Sequence, residues 1–117
     1  MAKLSKELQA LLPLTDDSDS RVREEAYSSF LDLARKIPDA ADILWEVAMK
    51  GLGDPESDIR ASVAGSINLM AHRSRGDDSV STIPEEVMDL LIVGTRDESP
   101  QVRARCASAI GTWASKR

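Results

Sequence analysis

Three segments of this chain begin in the same way, and the repetition restricts the possible folds more than any other feature of the sequence. In residues 17–23, 54–60 and 97–103, an aspartate stands five residues before a valine or isoleucine, which an arginine follows directly. The aliphatic residues are separated by 37 and then by 43 positions. A motif that returns at such a period is typical of a protein built from stacked copies of one structural unit.

The apolar residues after each motif recur at helical spacing. Counted from the aliphatic residue of the motif, apolar side chains return at offsets of 4, 8, 11 and 12. They are Ala26, Phe30, Leu33 and Ala34 in the first segment, Val63, Ile67, Met70 and Ala71 in the second, and Cys106, Ile110, Trp113 and Ala114 in the third. These offsets predict an amphipathic helix of about four turns in each segment. Ser20, Ser57 and Ser99 are the predicted N-caps.

Further helical stripes lie between these segments. Residues 40–52 and 84–95 carry one stripe each, and a stripe of leucines from Leu4 to Leu12 ends at Pro13. We therefore predict six helices that alternate between an inner and an outer row, with no strand. The length fits a single domain, residues 1–117. The longer second spacing results from residues 74–83, a loop with Gly and Asp that is the one connection long enough to suggest a function of its own.

The three motifs resemble the HEAT repeat, and the resemblance covers nearly the whole chain, from residue 4 to residue 116. It implies an all-α fold, a short right-handed α-solenoid of stacked antiparallel helix pairs. It also implies a ladder between neighbouring repeats, in which Asp17, Asp54 and Asp97 alternate with Arg23, Arg60 and Arg103. Thr15 and Thr95 stand where the family usually has leucine, so we expect looser packing at those turns.

Four acidic residues on the predicted inner helices form the candidate binding surface, which we call the acidic patch. Asp42 and Glu46 lie one turn apart on one helix, and Glu85 and Asp89 occupy the same two positions on the next. Inner helices line the concave surface on which such stacks usually bind. We predict that the patch docks a basic segment of a partner protein; the alternative is a solvated face that aids solubility. Trp45 falls in an apolar column and is expected in the core, yet it is also a candidate anchor for a partner.

The charge of the chain restricts the class of partner. The net charge is −5, and phosphate binding needs clustered Lys and Arg, so nucleic acid is not the expected partner. The last helix is the exception, because it carries Arg103, Arg105, Lys116 and Arg117 and no acid; a nucleic-acid-associated HEAT-like domain is therefore the alternative function. No signal peptide is visible and no apolar run approaches the roughly 20 residues of a membrane span. We expect no membrane partner and a cytoplasmic location.

The sequence offers no set of residues for catalysis. His72 is the only histidine and Cys106 the only cysteine, so neither a disulfide nor a metal site of several such ligands is expected. Cys106 lies between Ala104 and Ala107 in the chain, next to Arg105, and is expected to be a small buried apolar residue. We predict a non-catalytic protein–protein interaction module that presents a concave helical surface and uses no cofactor and no metal.

The last predicted outer helix has no inner helix after it. Its apolar stripe, formed by Val102, Cys106, Ile110 and Trp113, would then pack on one side only. Terminal repeats of solenoids normally have polar outer faces. We therefore expect this end either to self-associate through the C-terminal helix or to be covered by a partner.

Overall fold

The computed structural model describes residues 4–37, 39–73 and 82–116, without the side chains of residues 72 and 73. These ranges contain one 3-10 helix, six α-helices and no β-strand. The α-helices are α1 (Lys6–Leu11), α2 (Ser20–Ala34), α3 (Ala41–Leu52), α4 (Ser57–Arg73), α5 (Glu85–Gly94) and α6 (Pro100–Ala114). The prediction of an all-α chain with six helices is confirmed. The predicted loop at 74–83 lies almost wholly outside the described residues, and so does the side chain of His72.

The aspartate of each motif folds back on the start of the helix that follows it. Oδ1 of Asp17, Asp54 and Asp97 accepts a hydrogen bond of 2.9 Å from the main-chain N–H two residues later, in Asp19, Glu56 and Ser99. These three residues directly precede α2, α4 and α6. The predicted N-caps Ser20 and Ser57 are therefore wrong by one position, because both serines already belong to the helix. Asp19 caps α2 instead, and Ser99 caps α6 as predicted.

The N-terminal helix is followed by a turn that the sequence pattern does not show. α1 ends at Leu11, and a 3-10 helix (Leu12–Asp16) continues through Pro13, which suits the first turn of a new helix because it has no N–H to donate. Thr15 is buried; its hydroxyl donates to the carbonyl of Leu12 at 2.7 Å and accepts from Nζ of Lys50 at 2.8 Å. The looser packing expected at Thr15 is not observed, because these two bonds hold the turn in place.

Helices pack against their neighbours in the chain and also against the next helix but one. α2 contacts α3, α3 contacts α4, and α5 contacts α6. Contacts also join α2 to α4, α4 to α6 and α3 to α5. The Cα atoms extend over 37 × 36 × 19 Å with a radius of gyration of 13.3 Å. The described part of the chain is thus a compact body about as thick as two layers of helices, and none of its helices is long and apolar enough to cross a membrane.

The core is built from the apolar columns that the sequence indicates. Leu8, Trp45 and Met88, which occupy equivalent positions on α1, α3 and α5, are all buried. The same is true of Ala26, Phe30 and Ala34 in α2, of Val63, Ile67, Met70 and Ala71 in α4, and of Cys106 and Trp113 in α6. Leu33 and Ile110 are only partly buried. Ala114 is exposed, although its equivalents Ala34 and Ala71 are buried. The difference arises because no further described helix covers that side of α6.

Candidate functional site

Two arginines of the repeated motif reach the aspartate of the next motif. Arg23 donates from Nε and Nη2 to the two carboxylate oxygens of Asp54, at 3.0 and 3.1 Å. Arg60 makes the same pair of bonds to Asp97, at 2.8 and 3.0 Å. A guanidinium that meets a carboxylate through two parallel bonds fixes orientation as well as distance. The contacts from Arg23 to Asp54 and from Arg60 to Asp97 that the HEAT resemblance implies are therefore present.

The remaining nitrogen of each guanidinium is bound within its own motif. Nη1 of Arg60 donates to the carbonyls of Asp54 and Pro55, at 2.7 and 3.1 Å. Nη1 of Arg103 makes the equivalent bonds to the carbonyls of Asp97 and Glu98, at 2.9 and 3.2 Å. All three motif arginines are thus oriented in the same way, but no carboxylate of the described residues meets Nε and Nη2 of Arg103.

The ion pair between Arg60 and Asp97 favours the charged form of both partners. The hydrogen bond from Arg60 lowers the pKa of the Asp97 carboxyl below its ordinary value of 3.8. In turn, the hydrogen bond to Asp97 raises the pKa of the Arg60 guanidinium. The side chains of this pair are only 13% and 14% exposed, so solvent and salt screen their attraction less than that of a surface pair. The two ion pairs therefore act as structural connections between successive motifs.

The four carboxylates of the acidic patch are all exposed. Asp42 and Glu46 lie on α3, Glu85 and Asp89 lie at the equivalent positions of α5, and these two helices contact each other. Asp42, Glu46 and Asp89 form no ion pair with any residue that the structure describes. Neighbouring helices thus present acidic side chains to solvent at matching positions.

Trp45 lies in the core beneath this surface. It is 6% exposed, and its ring meets that of Trp113 edge to face, with the ring centroids 6.1 Å apart and the planes at 71°. This is a favoured arrangement for two aromatic rings. Trp45 therefore supports α3 from inside, and the side chains that a partner would meet first are the four carboxylates.

No family model, curated protein or solved structure matches this chain. In the ranges that the structure describes, no three side chains of His, Cys, Asp and Glu are grouped so that they could share a metal ion.

Cys106 is a packing residue, as the sequence indicates. It is 1% exposed, and burial raises the pKa of its thiol to about 11. A β-carbon on Gly94 would collide with its Sγ, so the close approach of α5 and α6 depends on glycine at that position. A thiol that is buried and protonated near neutral pH is a poor nucleophile.

The apolar stripe of the C-terminal helix is covered more completely than the sequence predicts. Val102, Cys106 and Trp113 are buried within the chain, so their stripe is not the part of α6 that a second molecule would contact. Of the four basic residues, Arg103, Arg105 and Lys116 are exposed. Lys116 donates from Nζ to the carbonyl of Ala71 at 2.8 Å, whereas Arg117 lies outside the described residues. The basic side chains on which the nucleic-acid alternative rests are therefore exposed wherever the structure describes them.

An open groove on α4 and α6 was not anticipated from the sequence. Its volume is about 620 Å³, and small or polar residues such as Ser62, Gly65, Ser66 and Ala104 line much of it. Asn68 also lines the groove, and its Oδ1 is buried without a hydrogen-bond partner in the described structure. Small residues on a helix surface leave no periodic signal that separates a groove from ordinary packing, so the sequence gives no indication of this groove.

Proposed function

We propose that this chain is a short right-handed α-solenoid of HEAT-like helix pairs that works as a non-catalytic module and binds a partner protein across α3 and α5. The observation that carries the proposal is the pair of equivalent contacts, Arg23 with Asp54 and Arg60 with Asp97, which join successive motifs in one geometry. Stacked repeats are held together by such contacts between nearest neighbours. The contacts between alternate helices, α2 with α4, α4 with α6 and α3 with α5, support the same arrangement.

The acidic patch is the surface that we assign to the partner. Its carboxylates are exposed on two helices that are held rigidly by the core, so a partner would find them already in place. Charges of one sign at fixed positions speed association with a segment of the opposite sign and give it a preferred register. The expected partner is therefore a protein with an Arg- or Lys-rich segment, and we place the interaction in the cytoplasm.

The experiment compares two charge-reversal variants with the wild type as baits for native lysate. Glu46→Lys with Asp89→Lys alters the patch, and Glu24→Lys with Glu25→Lys alters two acids outside it, beyond the first turn of α2. Each double variant changes the net charge from −5 to −1, so the two are matched in total charge. Asp42 and Glu85 are left intact because both lie in the first turn of their helices, where a lysine would oppose the helix dipole.

Three outcomes are informative. A protein that the wild type and the control variant retain, and that the patch variant loses, supports the patch; its basic segment, made as a peptide, should then bind the wild type directly. Retention by both variants would mean that the patch is not the binding surface. Binding of duplex DNA with a steep salt dependence, weakened by Arg105→Glu, would instead favour the nucleic-acid alternative.

A further inference from the structure

The two ends of the repeated motif series carry complementary unpaired groups. Arg103 has the orientation of Arg23 and Arg60 but meets no described carboxylate. Asp17 has the turn geometry of Asp54 and Asp97, with Oδ1 bound to the N–H of Asp19, but receives no described guanidinium. One end of the chain therefore offers a guanidinium and the other a carboxylate, each in the geometry that forms an ion pair twice inside the chain.

Arg103 lies beside a surface of α6 that is exposed, although the equivalent surfaces of α2 and α4 are covered. Tyr27, Leu31 and Ala34 of α2 are buried on this side, and so are Ala61, Ala64 and Ala71 of α4. The equivalent residues of α6 are all exposed; we call them the end face, and they are Ala104, Ala107, Gly111 and Ala114. On α5, the exposed Leu90 extends this surface, although Val47 at its equivalent position on α3 is 3% exposed.

The sizes of the exposed residues also match between the two ends. Inside the chain, Tyr27 approaches Gly51 so closely that a β-carbon there would lie 3.2 Å from its ring. Ala107 is equivalent to Tyr27, and Leu14 is equivalent to Gly51. Inside the chain, a large side chain thus packs against a glycine. At the two ends the sizes are reversed, with an exposed alanine at the position of Tyr27 and a leucine, 40% exposed, at the position of Gly51.

We propose that a second copy of this chain stacks head to tail on the end face, with Arg103 of one copy bound to Asp17 of the next and Leu14 seated against Ala107. The occupant must present a carboxylate in the turn geometry of Asp54 and a bulky apolar residue three positions before it, and this chain has both. The contact joins two different surfaces, so it leaves each copy with a free end and permits growth beyond a dimer. It uses none of the residues of the acidic patch.

Sedimentation velocity of the whole chain over a wide range of concentration tests this stacking. The wild type is expected to increase in mean mass past that of a dimer. Ala107→Arg places a bulky charge on the end face. Ser29→Arg places one at the other end of the stack, on the exposed side of α2. The residue of α6 that is equivalent to Ser29 is Ala109, which is fully buried. Both positions are exposed on helices, and arginine is a good helix former, so both variants should fold.

The two blocked variants distinguish head-to-tail stacking from every symmetric dimer. Each variant alone is expected to be monomeric, because it lacks one of the two surfaces. An equal mixture is expected to form a dimer and to stop there, since only the open end face of the Ser29→Arg chain and the open end of the Ala107→Arg chain can meet. A symmetric dimer through α6 would survive Ser29→Arg and would not be restored by mixing.

The ion pair is tested by Arg103→Gln and Asp17→Asn, which keep hydrogen-bonding groups and remove the charge. Each should weaken the association about tenfold. Arg105→Gln, an exposed arginine two residues from Arg103, is the matched control and should leave it unchanged. The patch variant Glu46→Lys with Asp89→Lys should assemble like the wild type, which separates this inference from the proposed function. A wild type that remains monomeric at every concentration, or a mixture that fails to dimerise, would overturn the proposal.

Discussion

The indole Nε1 of Trp113 donates a buried hydrogen bond of 2.8 Å to the main-chain carbonyl of Ile67, across the contact between α6 and α4. Lys116 adds a second bond from the same end of α6 to the carbonyl of Ala71. The motif ion pairs hold the other ends of these helices, where Arg60 meets Asp97. The last helix is therefore attached at both of its ends.

We predict that Trp113→Phe lowers the free energy of unfolding by about 2 to 4 kcal/mol, because it removes the hydrogen bond to Ile67 and leaves a cavity. Urea unfolding measures the loss. Trp45→Phe is the matched control, since Trp45 is also buried and makes no described hydrogen bond through its ring nitrogen. It should cost less, and equal losses for the two variants would show that the bond contributes nothing measurable.

We predict that Arg60→Ala destabilises the protein by about 1 to 3 kcal/mol more than Arg103→Ala. Both arginines donate to two carbonyls of their own turn, and among the described residues only Arg60 also binds a carboxylate, that of Asp97. The difference between the variants therefore isolates the contact between motifs. Chemical unfolding at low protein concentration, where no copies stack, measures it. Equal losses would mean that the ion pair does not add to the stability of the fold.

Much of the helical architecture could be predicted because the same pattern occurs three times. Equivalent positions such as Ala26, Val63 and Cys106 proved to be buried together, since each faces the same layer of the core. The first residues of the helices were predicted less accurately. Ser20 and Ser57 carry a suitable side chain for an N-cap, but the residues that directly precede the helices are Asp19 and Glu56. The 3-10 helix after α1 has no periodic signature, because it is only five residues long.

The surface was harder to predict than the core. The acidic patch could be placed on α3 and α5 from spacing alone, because exposed positions follow from the positions that are buried. The sequence did not reveal that the apolar stripe of α6 is covered within the chain while Ala104 and Ala107 stay exposed. Alanine and glycine are compatible with either environment, so only the packing of neighbouring helices decides which side is open.

We predict that stability falls as the pH is lowered through the titration of Asp97. Its carboxyl has a lower pKa in the folded chain than its ordinary 3.8, chiefly because of the hydrogen bond from Arg60, so the ionised form favours folding. This contribution is complete above the unfolded pKa and is lost as the pH falls through the folded one. Asp97→Asn should therefore be less stable at neutral pH and lose less on acidification.

Urea unfolding at several pH values between neutral and strongly acidic checks this dependence. Glu25→Gln is the control, because Glu25 is exposed, lies beyond the first turn of α2 and forms no ion pair with a described residue. It should follow the wild-type curve. If Asp97→Asn lost as much stability on acidification as the wild type, the acid sensitivity would have to come from other carboxylates.

We predict opposite effects for alanine at two helical glycines. In Gly51→Ala the new β-carbon would lie 2.6 Å from Cγ2 of Val63, so α3 must shift away from α4, which costs about 1 to 3 kcal/mol. Nothing lies within 4 Å of the equivalent atom at Gly111, and alanine in a helix interior is favoured over glycine by about 0.5 to 1 kcal/mol, so Gly111→Ala should stabilise the protein. Thermal unfolding gives both signs. Stabilisation by Gly51→Ala would show that α3 and α4 do not approach each other as closely as described.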